Sequence, residues 1–325
     1  MKKIDLKDRK ILYHLDINSR QSFSELGKKV GLHKDVVAYR VKRLQEKGII
    51  YNFFTDIDIT KLGYIRLRYY FVFQFASPEK RKEIIDYFMK SKYTLTVNSL
   101  EGQYDLSVYM AVKDIYDFYH FWEKAFSKYG KYFSKRSFSL FCYAKMYCYS
   151  FLIYEDSNER NDINNVWEIG GRSAVKIDDL DIKLLKLINT NARIPTIKLA
   201  ENLKCTTQTI KSKIKNLIKQ GVIKAYKIEV DISKLKYKLY RLDINLNEGV
   251  KKQPILDFLI KNPYVRTIYG TIGDAADIEL EIYLTDVHHI HKFIESISLK
   301  FPDSIKDFKY HSNIKRHKML TIPEK

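Results

Sequence analysis

The sequence predicts an α+β fold built from two copies of one unit, each a winged-type helix-turn-helix followed by a small ferredoxin-like β-α-β-β-α-β domain. Three observations predict it. The chain repeats itself at a spacing of 173 residues, each repeat opens with three short amphipathic helices, and each continues with the same alternation of strands and helices.

The repeat lays residues 5–64 on residues 178–237 without a gap and with 16 identities in 60 positions. Identities fall where a fold needs them, at Asp8/Asp181, Leu12/Leu185, Asn18/Asn191, Leu26/Leu199, Leu44/Leu217, Gly48/Gly221 and Asp58/Asp231. Ile11/Leu184, Val37/Ile210 and Val41/Ile214 differ but stay apolar. The expected domains are 1–60 and 177–234 as helix-turn-helix units, and 61–152 and 235–325 as α/β domains. Residues 153–176 are polar, Asn-rich and carry Gly170 and Gly171, which predicts a linker with a short tethered turn around Trp167.

In the first copy, Ile11, Leu12 and Leu15 share one face of a helix over about residues 8–16. Ser22 and Glu25 have capping-box spacing for a second helix, which Gly31 ends. A third helix over about 34–47 buries Val37, Val41 and Leu44 and stops at Gly48. The second copy repeats this over 182–188, 196–203 and 207–220, ended by Gly221. Thr206 is a good N-cap for its third helix, whereas the matching His33 is a poor one and reads as a surface residue.

Strands are expected over 49–59, 66–75, 95–99, 106–112 and 136–149, with the last apolar run extended through 148–153, and helices over 78–90 and 115–129. The second copy gives strands over 238–246, 265–269, 278–284 and 308–314, with helices over 254–261 and 287–300. Helices cover one face of such a sheet, so the other must pair with a second sheet, from the other copy or from another chain.

The charge balance is 58 basic against 39 acidic residues, a net +19, which favours an anionic partner without choosing among nucleic acid, membrane surface and acidic metabolite. No apolar run reaches 18 residues, so no membrane span is expected, and a cytoplasmic protein is. Cys142, Cys148 and Cys205 lack metal-ligand spacing and read as reduced, mostly buried residues. His288, His289 and His291 read as surface histidines on a polar helix, so no metal, cofactor or catalytic residue is expected.

The third helices carry the functional signal. Their exposed faces offer Lys34, Arg40, Lys42, Arg43 and Lys47 in the first copy, and Lys211, Lys213, Lys215 and Lys219 in the second. A helix fits the major groove, where Lys and Arg meet phosphates and short side chains reach base edges. The expected base readers are Asp35, Ala38 and Tyr39 in one copy, and Thr207, Gln208 and Lys211 in the other. The two helices differ strongly, which points to unlike half-sites in double-stranded DNA.

These segments resemble the leucine-responsive/asparagine-regulator family of transcription factors. The resemblance rests on LKDRKILYHLDINSRQSFSELGKKVGL with VVAYRVKRLQEKGII, and on IDDLDIKLLKLINTNARIPTIKLAENL with TIKSKIKNLIKQGVIKAYKIEVDISKLKY. It implies a ligand-sensing ferredoxin-like domain, pairing of sheets, further oligomerisation and an amino-acid-like effector. It also implies that Arg40 and Lys213 occupy the family's basic position in the recognition helix. The loops EGQYD and IGDAAD mark the implied effector sites, at Gly102, Tyr104 and Asp105 and at Gly273, Asp274 and Asp277. The family unit normally occurs once per chain, so this chain is expected to form a pseudo-dimer with itself.

Two other readings stay open at this stage. The siroheme decarboxylases resemble this family and act on a polyanionic tetrapyrrole, but their His-Asn-Tyr-x-Arg stretch is absent here: Val97 to Glu101 and Arg266 to Gly270 stand in its place. A protein-interaction scaffold with non-DNA-binding helix-turn-helix units is the second.

Overall fold

The computed structural model describes residues 4–154, 157, 159–171 and 174–323. The first unit begins with α1 (Leu6–Ile17), α2 (Phe23–Val30) and α3 (Lys34–Glu46), followed by β1 (Ile50–Ile57). Asp5 and Ser22 both close capping boxes, with Asp8 and Glu25, and Gly31 ends α2 in the left-handed conformation. The poor cap foreseen at His33 makes no side-chain bond, while Thr206 accepts from the Thr209 N–H.

The first α/β domain follows as β2 (Ile65–Phe73), α4 (Pro78–Lys90), β3 (Thr94–Gly102), β4 (Leu106–Val112), α5 (Ile115–Tyr129) and β5 (Phe133–Tyr147). After β6 (Val166–Gly170), the second copy runs α6 (Asp179–Thr190), α7 (Thr196–Leu203), α8 (Thr207–Lys219) and β7 (Ile223–Val230). It ends with β8 (Lys238–Leu246), α9 (Lys252–Leu259), β9 (Val265–Gly273), β10 (Ile278–Leu284), α10 (Val287–Lys300) and β11 (Ile305–Met319).

Each copy gives the expected strand order, β5-β2-β4-β3 and β11-β8-β10-β9, and the two sheets join edge to edge. β3 pairs with β11 and β9 with β5, all antiparallel, so eight strands close into one barrel. Closure removes both sheet edges, which would otherwise expose unpaired backbone groups. Outside the barrel, Leu67, Phe71, Val97 and Val108 pack against Ile84, Phe88 and Phe118 of the first copy's helices. Leu242, Ile244, Leu280 and Ile282 do the same against Ile255, Ile290 and Ile294 in the second. The pairing demanded by the bare sheet faces is therefore met within one chain.

The helix-turn-helix units cross over. The antiparallel β1–β7 ribbon joins the copies, and the core around Ile11, Leu15, Val37 and Leu44 is completed by Ile228, Val230 and Tyr237 of the second copy. Conversely, Leu184, Ile188 and Ile210 pack with Ile57, Ile59 and Leu95 of the first. The pseudo-twofold shows in matched backbone bonds. The Ser19 N–H donates to the Tyr226 carbonyl and the Ala192 N–H to the Phe53 carbonyl, both at 2.8 Å.

Three expectations need correction. Residues 153–176 do connect the copies, but they are not a plain linker with a turn: Val166–Gly170 forms β6 and pairs with β5, and Arg160 is buried with its side chain donating to the Asn262 and Val265 carbonyls. The last apolar run does not continue as strand through 153, because Ser150–Leu152 turn as a 3-10 helix into the first helix-turn-helix core. Of the three free cysteines only Cys148 is buried, while Cys142 is exposed.

Candidate nucleic-acid interface

The recognition helices α3 and α8 are amphipathic, and what they bury decides what they can offer. Val37, Val41 and Leu44 are buried in α3, as are Ile210 and Leu217 in α8. This leaves Lys34, Asp35, Tyr39 and Lys42 exposed on α3, with Ala38 half-buried, and Thr207, Gln208, Lys211 and Lys215 exposed on α8. Asp35 lies 3.2 Å from His33, and Lys42 is loosely paired with Glu46 at 3.8 Å. Lys34, Lys211, Lys215 and Lys219 carry no ion pair among the described residues. Within α8 there is no acidic residue at all, so every charge on its outward face is positive.

Arg40 and Lys213 are placed differently from the rest. Arg40 donates to Asp5 at 2.7 Å and Asp8 at 2.9 Å, and Lys213 to Asp178 at 2.7 Å and Asp181 at 3.0 Å. Arg43 also reaches Asp8, at 2.6 Å. These cations therefore clamp the recognition helix to the capping box of the first helix. Burial opposes the charge on Asp5, but Arg40 and the Asp8 N–H together outweigh it and hold its carboxyl below the usual range. The Lys213 ammonium holds the Asp178 carboxyl down in the same way. The acids were legible in advance, since Asp5/Asp178 and Asp8/Asp181 are identical between copies. Helical periodicity shows which face a charge is on, and it does not show the neighbouring helix.

The clamp yields a prediction that differs between copies. Lys213→Ala leaves Asp181 without a cation, because Asn216 stands where Arg43 stands in the first copy. It is expected to lower stability by about 1–3 kcal/mol. Arg40→Ala should cost less, since Arg43 remains on Asp8. Paired urea denaturation curves check the order, and equal losses would contradict it.

The loops expected to hold an effector are packed tightly. Tyr104 is buried and stacks on Tyr70 with centroids 4.7 Å apart. Asp105 accepts from the Phe73 N–H at 2.7 Å, and Asp277 accepts from the Leu246 N–H at 2.8 Å, the equivalent brace in the second copy. Asp274 accepts from the Phe138 N–H and the Ser137 hydroxyl. Gly102 and Gly273 sit at the two barrel seams, opposite His311 and Ser139.

The AsnC-type helix-turn-helix domain matches residues 4–45, and a winged helix-turn-helix DNA-binding pattern matches residues 177–224. The transcriptional regulator LysM of Sulfurisphaera tokodaii is 30% identical over 121 residues, covering 37% of this chain and 84% of LysM. This chain belongs to the AsnC-type family of helix-turn-helix transcriptional regulators. LrpB of Bacillus subtilis, 26% identical over 142 residues, covers 43% of the chain and 95% of LrpB. Such single-unit AsnC-type relatives span less than half of this chain, in keeping with its duplicated plan. A solved structure with a matching full-length fold is the siroheme decarboxylase NirDL, with a TM-score of 0.64 at 13% identity over 98% of this chain and 94% of that one. No helix among the described residues of this AsnC-type chain is long and apolar enough to cross a membrane.

Proposed function

We propose that this AsnC-type chain is a sequence-specific double-stranded DNA regulator that presents two unlike recognition helices from one polypeptide. The observation that carries the reading is the pair of exposed α3 and α8 faces, cationic in both copies and sharing Lys42/Lys215, yet different at the base-reading positions: Lys34, Asp35, Ala38 and Tyr39 against Thr207, Gln208, Lys211 and Ser212. Lysines position the helix on phosphates, and Asp35, Tyr39, Thr207 and Gln208 read base edges. Arg40, Arg43 and Lys213 hold the recognition helices in place, and whatever charge they leave unspent adds to the phosphate field. A target with two different half-sites follows from the difference between the helices.

The test is binding of the purified chain to the DNA upstream of its own gene against random DNA of equal length, across a salt series. Specific binding is expected, and Lys211→Ala with Lys215→Ala should reduce the magnitude of the log-log salt slope by about 1–2. Equal, weak binding to both DNAs would overturn the reading. Modulation by an amino-acid-like effector, and assembly of several chains, are the finer parts of the proposal. The former must act around loops whose Asp105 and Asp277 are already bonded to backbone.

A second reading is favoured by the full-length similarity to the fold of the siroheme decarboxylase NirDL, and would give this chain an iron tetrapyrrole substrate. A Soret-band titration with such a tetrapyrrole, run on the same preparation, separates the two.

A further inference from the structure

The inside of the barrel is built as no simple packed core would be. Strands β2, β8 and β10 turn Arg68, Arg241 and Glu281 inward, and β11 turns in His311, around a chamber of about 50 Å³. Asn98, Ser107 and Ser312 complete its polar wall. Arg241 is 7% exposed and His311 3%, yet Arg241 Nε and Nη2 and His311 Nδ1 have no hydrogen-bond partner. Arg241 lies 3.5 Å from Glu279 and 3.6 Å from Glu281, close enough for attraction and too poorly aligned for bonding. Unpaired buried polar atoms cost free energy, so their concentration at one chamber needs a reason.

The local charges indicate what would satisfy them. Burial, then the neighbouring Glu279, pushes the Asp243 carboxyl well above its ordinary range, which disfavours its anion. Burial also raises Glu279, against the Ser139 hydroxyl that donates to it at 2.6 Å. Burial, with Arg68 nearby, pushes the His311 imidazole down to about 3, leaving it neutral. Arg68 forms no ion pair among the described residues. It rests over Phe141, Tyr109 and Tyr269 at 5.0–5.5 Å and donates to the Tyr70 hydroxyl. The wall thus keeps two guanidinium groups whose nearest carboxylates are either shared or disfavoured as anions.

We propose that this chamber binds a small oxyanion, a carboxylate or an inorganic oxyanion, held by Arg241 and Arg68 and by the donors of His311 and Ser107. An occupant of roughly three to five non-hydrogen atoms suits the volume, given that one water needs about 10–15 Å³. Planar guanidinium forks match oxyanion geometry. The chamber adjoins a groove of about 770 Å³, with which it shares Leu239 and Asn313. That groove runs under the β1–β7 ribbon, past Tyr51, Phe54 and Ile228, and its rim carries Lys315 together with the ion pairs Arg316–Glu229 and Lys234–Asp231. An anion entering there reaches the barrel beneath the ribbon that joins both helix-turn-helix units. The site lies away from the DNA-facing helices and abuts the first expected effector loop, since His311 pairs with Gly102 and packs edge-on against Tyr104.

The test is thermal unfolding of the full chain in sodium formate, acetate, bicarbonate or phosphate, each against sodium chloride at matched ionic strength. At least one probe should give a saturable rise in Tm of about 2 °C or more over chloride, and the probe that works distinguishes carboxylate from inorganic oxyanion. Arg241→Gln should abolish that rise. Asn98→Leu, which fills the chamber without removing a buried charge, should abolish it as well and decides the matter if Arg241→Gln does not fold. No saturable rise with any probe, or a rise that survives Asn98→Leu, would overturn the proposal.

Discussion

Asp16→Ala is expected to cost about 3–5 kcal/mol, the loss typical when one partner is removed from a buried ion pair. Asp16 is fully buried at the end of α1, 2.8 Å from Arg266 of β9 and 3.1 Å from Lys227 of β7, and it accepts from the Tyr149 N–H. Lys227 is itself 1% exposed and stacks 3.5 Å above the Trp167 ring. Truncating the acid leaves two cations in a space closed to water. Burial alone would raise the Asp16 carboxyl, but Arg266 and Lys227 overcome it and hold the group below its ordinary value. A depressed carboxyl contributes its stability above the unfolded pKa near 3.9 and loses it as pH falls through the folded value. The wild type should therefore lose stability on acidification below about pH 4, and Asp16→Ala should lose less over that window.

The repeat supplies the control for Asp16. Its counterpart is Asn189, which accepts from the Thr321 hydroxyl and has no buried cation bonded to it among the described residues. Asn189→Ala should cost about 1 kcal/mol, since only a neutral hydrogen bond is lost. Urea denaturation followed by circular dichroism compares the two, and similar losses would show that the ion cluster does not tie the first helix-turn-helix unit to the second copy. Hydrogen exchange along α1 should rise in Asp16→Ala, because this is where that unit is fastened to the barrel.

The helix-turn-helix units and the order of strands were legible in the sequence for local reasons. The capping box at Ser22 marks a helix start and the period of Val37, Val41 and Leu44 marks a buried stripe, whereas the boxes at Asp5 and Asp178 are not among the expected caps and their helices start earlier than expected, at Leu6 and Asp179. What escaped depends on partners far along the chain. Arg66 and Arg68, Arg241 and Asp243, and Glu279 and Glu281 alternate with apolar residues, a pattern that reads as a sheet with one solvated face. Pairing with a second sheet is expected from the sequence, but not that the two sheets close edge to edge and leave these charged residues lining the interior. The same holds for Trp167, whose neighbours Asp56, Lys227 and Arg266 come from three separate strands. Composition around it suggested a linker because a single strand such as β6 needs no apolar alternation when it caps the end of an existing sheet. The interface residues fared in the same way: exposure of Lys42 and Lys211 follows from helical period, whereas the inward clamp of Arg40 and Lys213 requires knowing where α1 and α6 lie.

Gly273→Ala is expected to be at least as damaging as Asp16→Ala, with a loss of about 3 kcal/mol or more, because it attacks barrel closure itself. Gly273 faces Ser139 across the β9–β5 seam with φ +156, and a Cβ there would lie 2.1 Å from the Phe138 carbonyl oxygen and 3.2 Å from Ser139 Cα. Both obstacles are backbone, so no rotamer change relieves them, and the seam must open or shift register. A side chain in that backbone region also costs about 1–3 kcal/mol before any clash. Gly102 holds the same place in the β3–β11 seam, at φ +116, with a Cβ lying 2.5 Å from the Tyr310 carbonyl oxygen. Its replacement should act alike, somewhat more mildly. If instead these glycines served chiefly to keep an effector loop open, Gly273→Ala would leave the unfolding curve in place and alter only a ligand response. Circular dichroism melts of the two alanine variants therefore separate a structural seam from a ligand loop, and a Tm within about 1 °C of the wild type, which at this chain length corresponds to about 0.7 kcal/mol, would remove the seam argument.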